Sequence, residues 1–222
     1  MRIKNLHPWN ITPDEAIQMQ NQLHNQIIDK DDLGKIQSVA GTDIGFKGNL
    51  ACASIVVLRY PDLEPVDLAV AETTASFPYI PGLLSFRETP LLLEAVKQLR
   101  TEPDLIIADG HELAHPRRFG IACHLGLILD KPAIGCAKSR LCGNYSEPSN
   151  RKGAFKYIRD KGEIIGAVLR SRSNVNVVYV SVGHRVSLDT AIELTLSCCK
   201  QYKIPETTRY AHKAASGEPI SL

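Results

Sequence analysis

Three runs of β-branched and apolar residues, Ile36 to Ile44, Leu50 to Tyr60 and Val66 to Phe77, come one after another with only short connections of Gly, Asn, Pro or Asp. Connections this short cannot carry the long crossover that parallel neighbours need, so the runs read as strands of an antiparallel meander. The rest of the chain must extend or cover that meander. A hydrophobic content of 44% supplies enough core residues to do both.

Thr12-Pro13-Asp14-Glu15 is a capping box with proline at the first helical position, so a helix should run from there toward Ile28. After Phe77 the apolar residues change to helical spacing, from Leu83 through Leu91, Leu92 and Val96 to Leu99, with Pro90 marking an expected break or kink. Leu105 to Ala108 reads as a short buried strand, Pro116 to Leu129 as a helix and Pro132 to Ala137 as a strand, an alternation that calls for parallel neighbours. Ile164 to Leu169 and Val177 to Val182 form a further strand pair, and Leu188 to Tyr202 a closing helix with Ser187 as N-cap. Cys142 to Gly153 is a polar loop and the one tempting internal boundary, while the tail after Pro205 is expected to pack irregularly. The expected class is α/β: a mixed sheet in one domain over residues 1–222, with three antiparallel strands followed by parallel strands and helices on both faces. By fold-level analogy this is a ribonuclease H-like sheet.

No apolar run approaches the roughly 20 residues of a membrane helix, and MRIKNLHPWN lacks the apolar core of a signal peptide. A soluble, cytoplasmic protein with no membrane partner is expected, and a monomer, since nothing in the chain demands a dimer. The six cysteines show no C-x-x-C spacing and read as reduced, mostly buried thiols. Residues 1–110 carry 9 Lys and Arg against 15 Asp and Glu, whereas residues 111–222 carry 17 against 9. A basic half suits a polyanion such as nucleic acid, although scattered surface charge gives the same count.

The densest chemistry lies in Asp109 to Gly126, DGHELAHPRRFGIACHLG. Within it His111-Glu112-Leu113-Ala114-His115 spells H-E-x-x-H, which on a helix holds a catalytic zinc beside a general base, as in zinc peptidases. The local signals oppose that helix: a strand ends at Asp109-Gly110, and Pro116 pushes His115 away from helical angles. The longer H-E-x-x-H-x-x-G-x-x-H form fails as well, because residues 118 and 121 are Arg and Ile. The alternative places Asp109 at the carboxyl end of a parallel strand, where open α/β sheets build their sites. Asp43 sits in a predicted core strand, and a lone buried carboxylate is costly unless paired or metal-bound. Glu88 reaches the same place if its helix crosses the sheet. Singly, Asp43 also reads as a turn cap and Glu88 as a solvated acid; together with Asp109 they make an oxygen-rich site for Mg²⁺ or Mn²⁺, suited to phosphodiester hydrolysis.

Asp109-Gly110-His111, His115-Pro116-Arg117-Arg118, Gly120, His124-Leu125-Gly126, Pro78 to Gly82, Phe86-Arg87-Glu88 and Gly135 to Lys138 together resemble the endonuclease V family. The resemblance runs from about Val39 to Ala215 and keeps the motifs in one order. It implies a Mg²⁺-dependent DNA repair endonuclease, with Mn²⁺ able to substitute. Such an enzyme recognises deoxyinosine, the deamination product of adenine, and nicks the second phosphodiester bond on its 3′ side, leaving 3′-hydroxyl and 5′-phosphate ends. It also implies roles for residues. Asp43, Glu88 and Asp109 match the metal-binding acids, His212 a position near the metal, and Lys138 a lysine near the scissile phosphate. Pro78, Tyr79, Ile80 and Pro81 match a strand-separating wedge, and Gly110, His115, Ile121 and Leu141 a pocket for the flipped base. One departure stands out: Glu112 occupies the place of the family's usual second glycine, where its charge would narrow the pocket, repel phosphate or alter base preference. Inosine-containing RNA as the main substrate stays open. So do two other classes, a zinc peptidase and a non-catalytic nucleic-acid-binding module.

Overall fold

Thr12 makes both halves of the expected capping box, and α1 (Pro13–Leu23) follows it. In a computed structural model that describes residues 1–48 and 50–222, β1 (Ser38–Lys47), β2 (Leu50–Arg59) and β3 (Pro65–Thr74) form the antiparallel meander. Asn49, in the expected turn between the first two strands, lies outside the described residues. The run LIIA is β4 (Leu105–Ala108), parallel to β1, and β5 (Ala133–Ala137) is parallel to β4. The sheet continues through β6 (Phe155–Asp160), β7 (Glu163–Leu169) and β8 (Val178–His184) in the order β3-β2-β1-β4-β5-β8-β7-β6, with antiparallel pairing beyond β5.

Period-two alternation in the central strands sorts their side chains onto two faces. Ala40, Ile106 and Ala108 pack with α2 (Leu84–Val96) and α3 (Ile121–Leu129), whereas Val39, Leu105 and Ile107 pack with α4 (Leu188–Ser197) and α5 (Glu206–Ala215). The result is the expected ribonuclease H-like mixed sheet with helices on both faces. Among the described residues no helix is long and apolar enough to cross a membrane, and all six cysteines are free thiols, four of them buried.

Several boundaries differ from expectation, each for a tertiary reason. α1 gives way at Leu23 to a single 3-10 turn, His24–Gln26, beyond which the chain is tied to the end of β8: the Ile28 carbonyl accepts from Arg185 N at 2.6 Å. Pro90 does not interrupt α2, whose Leu91, Leu92 and Leu93 are all buried, so packing outweighs the lost helical hydrogen bond. α3 begins at Ile121 rather than Pro116, since Arg118 adopts φ 55° and Gly120 is extended. β6 was invisible in the sequence because only Ile158 of its six residues is buried, which leaves no alternation to read. α4 ends at Ser197, where the chain turns so that Glu206 N reaches the Cys198 carbonyl at 2.8 Å.

The tail after Pro205 is α5, not an irregular segment, and it lies directly on β1. A Cβ on Gly41 would stand 2.1 Å from the Thr207 carbonyl, and Ser54 Oγ donates to the Ala211 carbonyl at 2.6 Å. Gly41 is therefore glycine because a helix backbone occupies its side-chain space. Gly41→Ala should lift α5 and cost about 1–3 kcal/mol, as overpacking of a tight core does. An unchanged urea midpoint would show that α5 is not seated there.

Candidate active site

The parallel strands end in step. β1 pairs with β4 only as far as Thr42 opposite Ala108, although it continues along β2 to Lys47. Asp43 is thus the first β1 residue past β4, Asp109 the first residue after β4, and Lys138 the first after β5. Carboxyl ends of parallel strands are where open sheets gather functional groups. Glu88 comes from the second turn of α2, and Thr42, Asp43, Glu88, Asp109 and Ile121 line one cavity of about 180 Å³.

The acids there sense one another. Burial first, then the charges of Asp43 and Asp109, push the Glu88 carboxyl up to about 7, with Arg87 opposing. Lys138 Nζ sits 2.7 Å from Asp109 Oδ2. Burial works to lower the Lys138 pKa, but the hydrogen bond and charge of Asp109, with the charge of Asp43, raise it overall. His212, on α5, places Nδ1 2.9 Å from Asp43 Oδ2 with its side chain 64% exposed. All five expected catalytic residues thus meet at the carboxyl ends of the central strands. The acids do not form a closed coordination sphere, for among the described residues no three His, Cys, Asp or Glu side chains stand together as an ion's ligands. One oxygen each of Asp43 and Asp109 is instead held by His212 and Lys138.

A second cavity, of about 260 Å³, opens beside the first and shares Glu88, Asp109 and Ile121 with it. Gly110, His115, Ile121 and Leu141, the four expected base-pocket residues, all line it. Tyr79 and Pro81 also line it, and Tyr79 is 69% exposed at its rim. Of the other two residues of the expected wedge, Pro78 is exposed and Ile80 packs partly against Phe77, Leu83 and Phe86.

The H-E-x-x-H segment is a loop. Glu112 adopts φ 34°, His111 Nε2 contacts the Ser139 carbonyl at 2.5 Å, and His115 turns toward Gly82. The helical face on which zinc chemistry depends is absent. The third histidine, His124, is a core residue whose Nε2 meets His7 Nε2 at 2.7 Å among Trp9, Phe86 and Phe119.

Glu112 corrects an expectation: its side chain lines neither cavity and is 0% exposed. Gly120, the N-cap of α3, offers no side chain, and Glu112 takes over that task from eight residues upstream. Its Oε2 accepts from Cys123 N at 2.9 Å, and Ala122 N–H also bonds the carboxylate. An anion at a helix N-terminus is favoured by the helix dipole and the free N–H groups. Oε1 has no partner among the described residues, and burial pushes the carboxyl up to about 7 against the lowering effect of the Cys123 and Ala122 N–H groups.

Sequence reasoning missed Gln20 and gave no role to the motif arginines: Gln20 and Arg117 meet at the Gly82 carbonyl, and Arg118 bonds Asp160, Glu163 and the His115 carbonyl. A signal for Gln20 existed: it is a polar residue on the buried stripe of α1, in register with Ala16 and Leu23.

The chain's likenesses agree with this geometry. The model of a family described as Endonuclease V matches residues 21–213. An endonuclease V from Roseiflexus castenholzii is 51% identical over 210 residues, covering 95% of each chain. The crystal structure of endonuclease V from Streptomyces avermitilis superposes with a TM-score of 0.90 at 38% identity, over 98% of this chain and 97% of that one. Endonuclease V from Ciona intestinalis, solved with a 24mer DNA containing an inosine followed by a ribo-adenosine, gives 0.79 at 28% identity over 92% and 96%. With the match running through every element that builds the site, the chain belongs to the endonuclease V family.

Proposed function

We propose that this protein is a DNA repair endonuclease that recognises deoxyinosine and, with Mg²⁺ or Mn²⁺, hydrolyses the second phosphodiester bond 3′ to it, leaving 3′-hydroxyl and 5′-phosphate ends. The observation that carries this reading is the pair of adjoining cavities. One is lined by three carboxylates, and the other is large enough for a base, with Tyr79 at its rim.

The donor chemistry fits a divalent ion. Asp43, Glu88 and Asp109 offer hard oxygen ligands, and the rise of Glu88 to about 7 comes first from its burial and then from the neighbouring charges of Asp43 and Asp109, which a cation would offset. When bound, the ion supplies activation of water and stabilisation of the leaving oxygen. Lys138 carries a compact positive charge suited to the scissile phosphate, and His212 holds Oδ2 of Asp43. Gly110 leaves its backbone open to the extruded base, Ile121 and Leu141 supply apolar walls, and Tyr79, flanked by Pro78 and by Ile80-Pro81, fills the space the base leaves. Inosine in RNA is the second reading, favoured by the ribo-adenosine next to inosine in the strand bound by the Ciona relative.

A labelled duplex with one deoxyinosine, its RNA counterpart and an undamaged control, each with Mg²⁺, Mn²⁺ or chelator, tests the assignment. The expected result is one nick, at the second phosphodiester on the 3′ side, present with either metal and absent in chelator. Cleavage of the control at the same rate, or none of the inosine strands, would sink it.

A further inference from the structure

The wedge loop ends at Gly82, and its carbonyl is the most heavily bonded acceptor near the site. Gln20 Nε2 donates to it at 3.0 Å, Arg117 Nη2 at 2.7 Å and His115 Nε2 at 3.1 Å. The donors also hold one another. Arg117 Nε donates to Gln20 Oε1, and the second Gln20 N–H donates to the Phe119 carbonyl at 3.0 Å. His115 Nδ1 accepts from Arg117 N at 3.1 Å, which places the ring proton on Nε2, directed at Gly82. Burial, with the charge of Arg117, lowers His115 to about 4, in keeping with a neutral ring in that tautomer. Gly82 has φ 82°, and a Cβ there would lie 2.8 Å from Arg117 Nη2, so loop and donors are fitted to each other.

Both ring nitrogens of His115 are therefore committed, although the ring lines the pocket. Such a histidine fixes the loop rather than reading a base. Gln20 is 1% exposed and all its polar atoms are bonded, so it ties the loop to α1 as a rigid strut. We propose that Gln20, His115 and Arg117 are positioning residues which pin the Gly82 carbonyl and so hold Tyr79 at the height needed to part a paired strand. The proposal rests on the wedge reading of Pro78 to Pro81 and adds to it the part that makes the wedge stiff. An unpinned loop would still leave the acids and the pocket intact, and its deficit would fall on paired substrate, where the strand must be opened.

The test compares two DNAs of the same sequence, one with deoxyinosine fully paired and one with it inside a small unpaired bubble. Gln20→Leu and Arg117→Lys should each lower the rate on the paired duplex at least tenfold and on the bubble less than threefold, as should Tyr79→Ala. Arg117→Lys keeps the positive charge, so retention of full activity on the paired duplex would assign Arg117 to phosphate attraction and overturn the pin. Equal losses on both DNAs in the Gln20 and Arg117 variants would overturn it too. If Tyr79→Ala leaves the ratio unchanged, the wedge reading itself fails. If only Tyr79→Ala shifts it, the wedge stands and the pin falls. Fluorescence of a 2-aminopurine beside the lesion, read in chelator, reports unstacking without cleavage and should drop in all three variants.

Discussion

Asp109→Asn should reduce single-turnover cleavage on the order of a thousandfold while leaving the protein as stable as before, or more so. Asparagine keeps the shape of aspartate and removes the charge, so the change acts on electrostatics rather than packing. The loss is set by charge stabilisation in a partly enclosed site, where one well-placed group accounts for about two to three powers of ten. Stability should not fall, because Asp109 is one of the two carboxylates that raise Glu88. Removing it relieves repulsion, the usual trade in a site whose charges are arranged for catalysis. The ion pair lost with Lys138 is about half exposed on the lysine side and contributes little. A carboxyl titration adds a second readout: the Glu88 pKa should move down from about 7 in Asp109→Asn. Near-normal cleavage would remove Asp109 from the centre of the site, and an unmoved Glu88 would show that the acids do not share a field.

The parts of the fold written in pattern were legible, and the parts written in contacts were not. Three β-branched runs with short connections gave β1 to β3, and the buried run LIIA gave the parallel β4, because burial and alternation leave a mark in every residue. β6 left none, since it is an edge strand with one buried side chain. α5 offered more: Ala211, Ala214 and Ala215 have helical spacing behind Pro205 and Glu206, but alanines make a faint apolar stripe. The five residues expected to be catalytic could be picked out from motif order alone, and the fold brings them together. What they do to one another was hidden. The rise of Glu88, the seat of α5 on Gly41 and the three donors on Gly82 each join segments far apart in the chain. Glu112 was misread for the same reason, as a charge beside glycine and histidine motifs rather than as a carboxylate turned inward onto a helix end.

That inward turn gives the sharpest prediction on stability. Glu112 is 0% exposed, and its carboxyl is raised from 4.5 to about 7, burial outweighing the N–H groups of Cys123 and Ala122. Between those two values the folded protein holds a proton that the unfolded chain has released, so stability falls as pH rises through the window. A displacement of this size corresponds to about 3 kcal/mol, an order-of-magnitude figure at 1.36 kcal/mol per unit. Glu112→Gln removes the titration and keeps an oxygen to accept from Cys123 N–H. Its stability relative to the parent should therefore be lowest near pH 4 and improve by about 3 kcal/mol by pH 8. Glu88 titrates in the same window but is present in both proteins, so the difference isolates Glu112. Glu112→Ala should be destabilised by about 1–2 kcal/mol through the lost cap at low pH, where the parent carboxyl is neutral; because it too lacks the titration, the deficit should be cancelled and reversed by pH 8. Urea unfolding at half-unit intervals from pH 4 to pH 8 decides it. Parallel curves for parent and Glu112→Gln would mean that the buried carboxyl keeps one protonation state throughout, and that the cap on α3 is as strong at either end of the range.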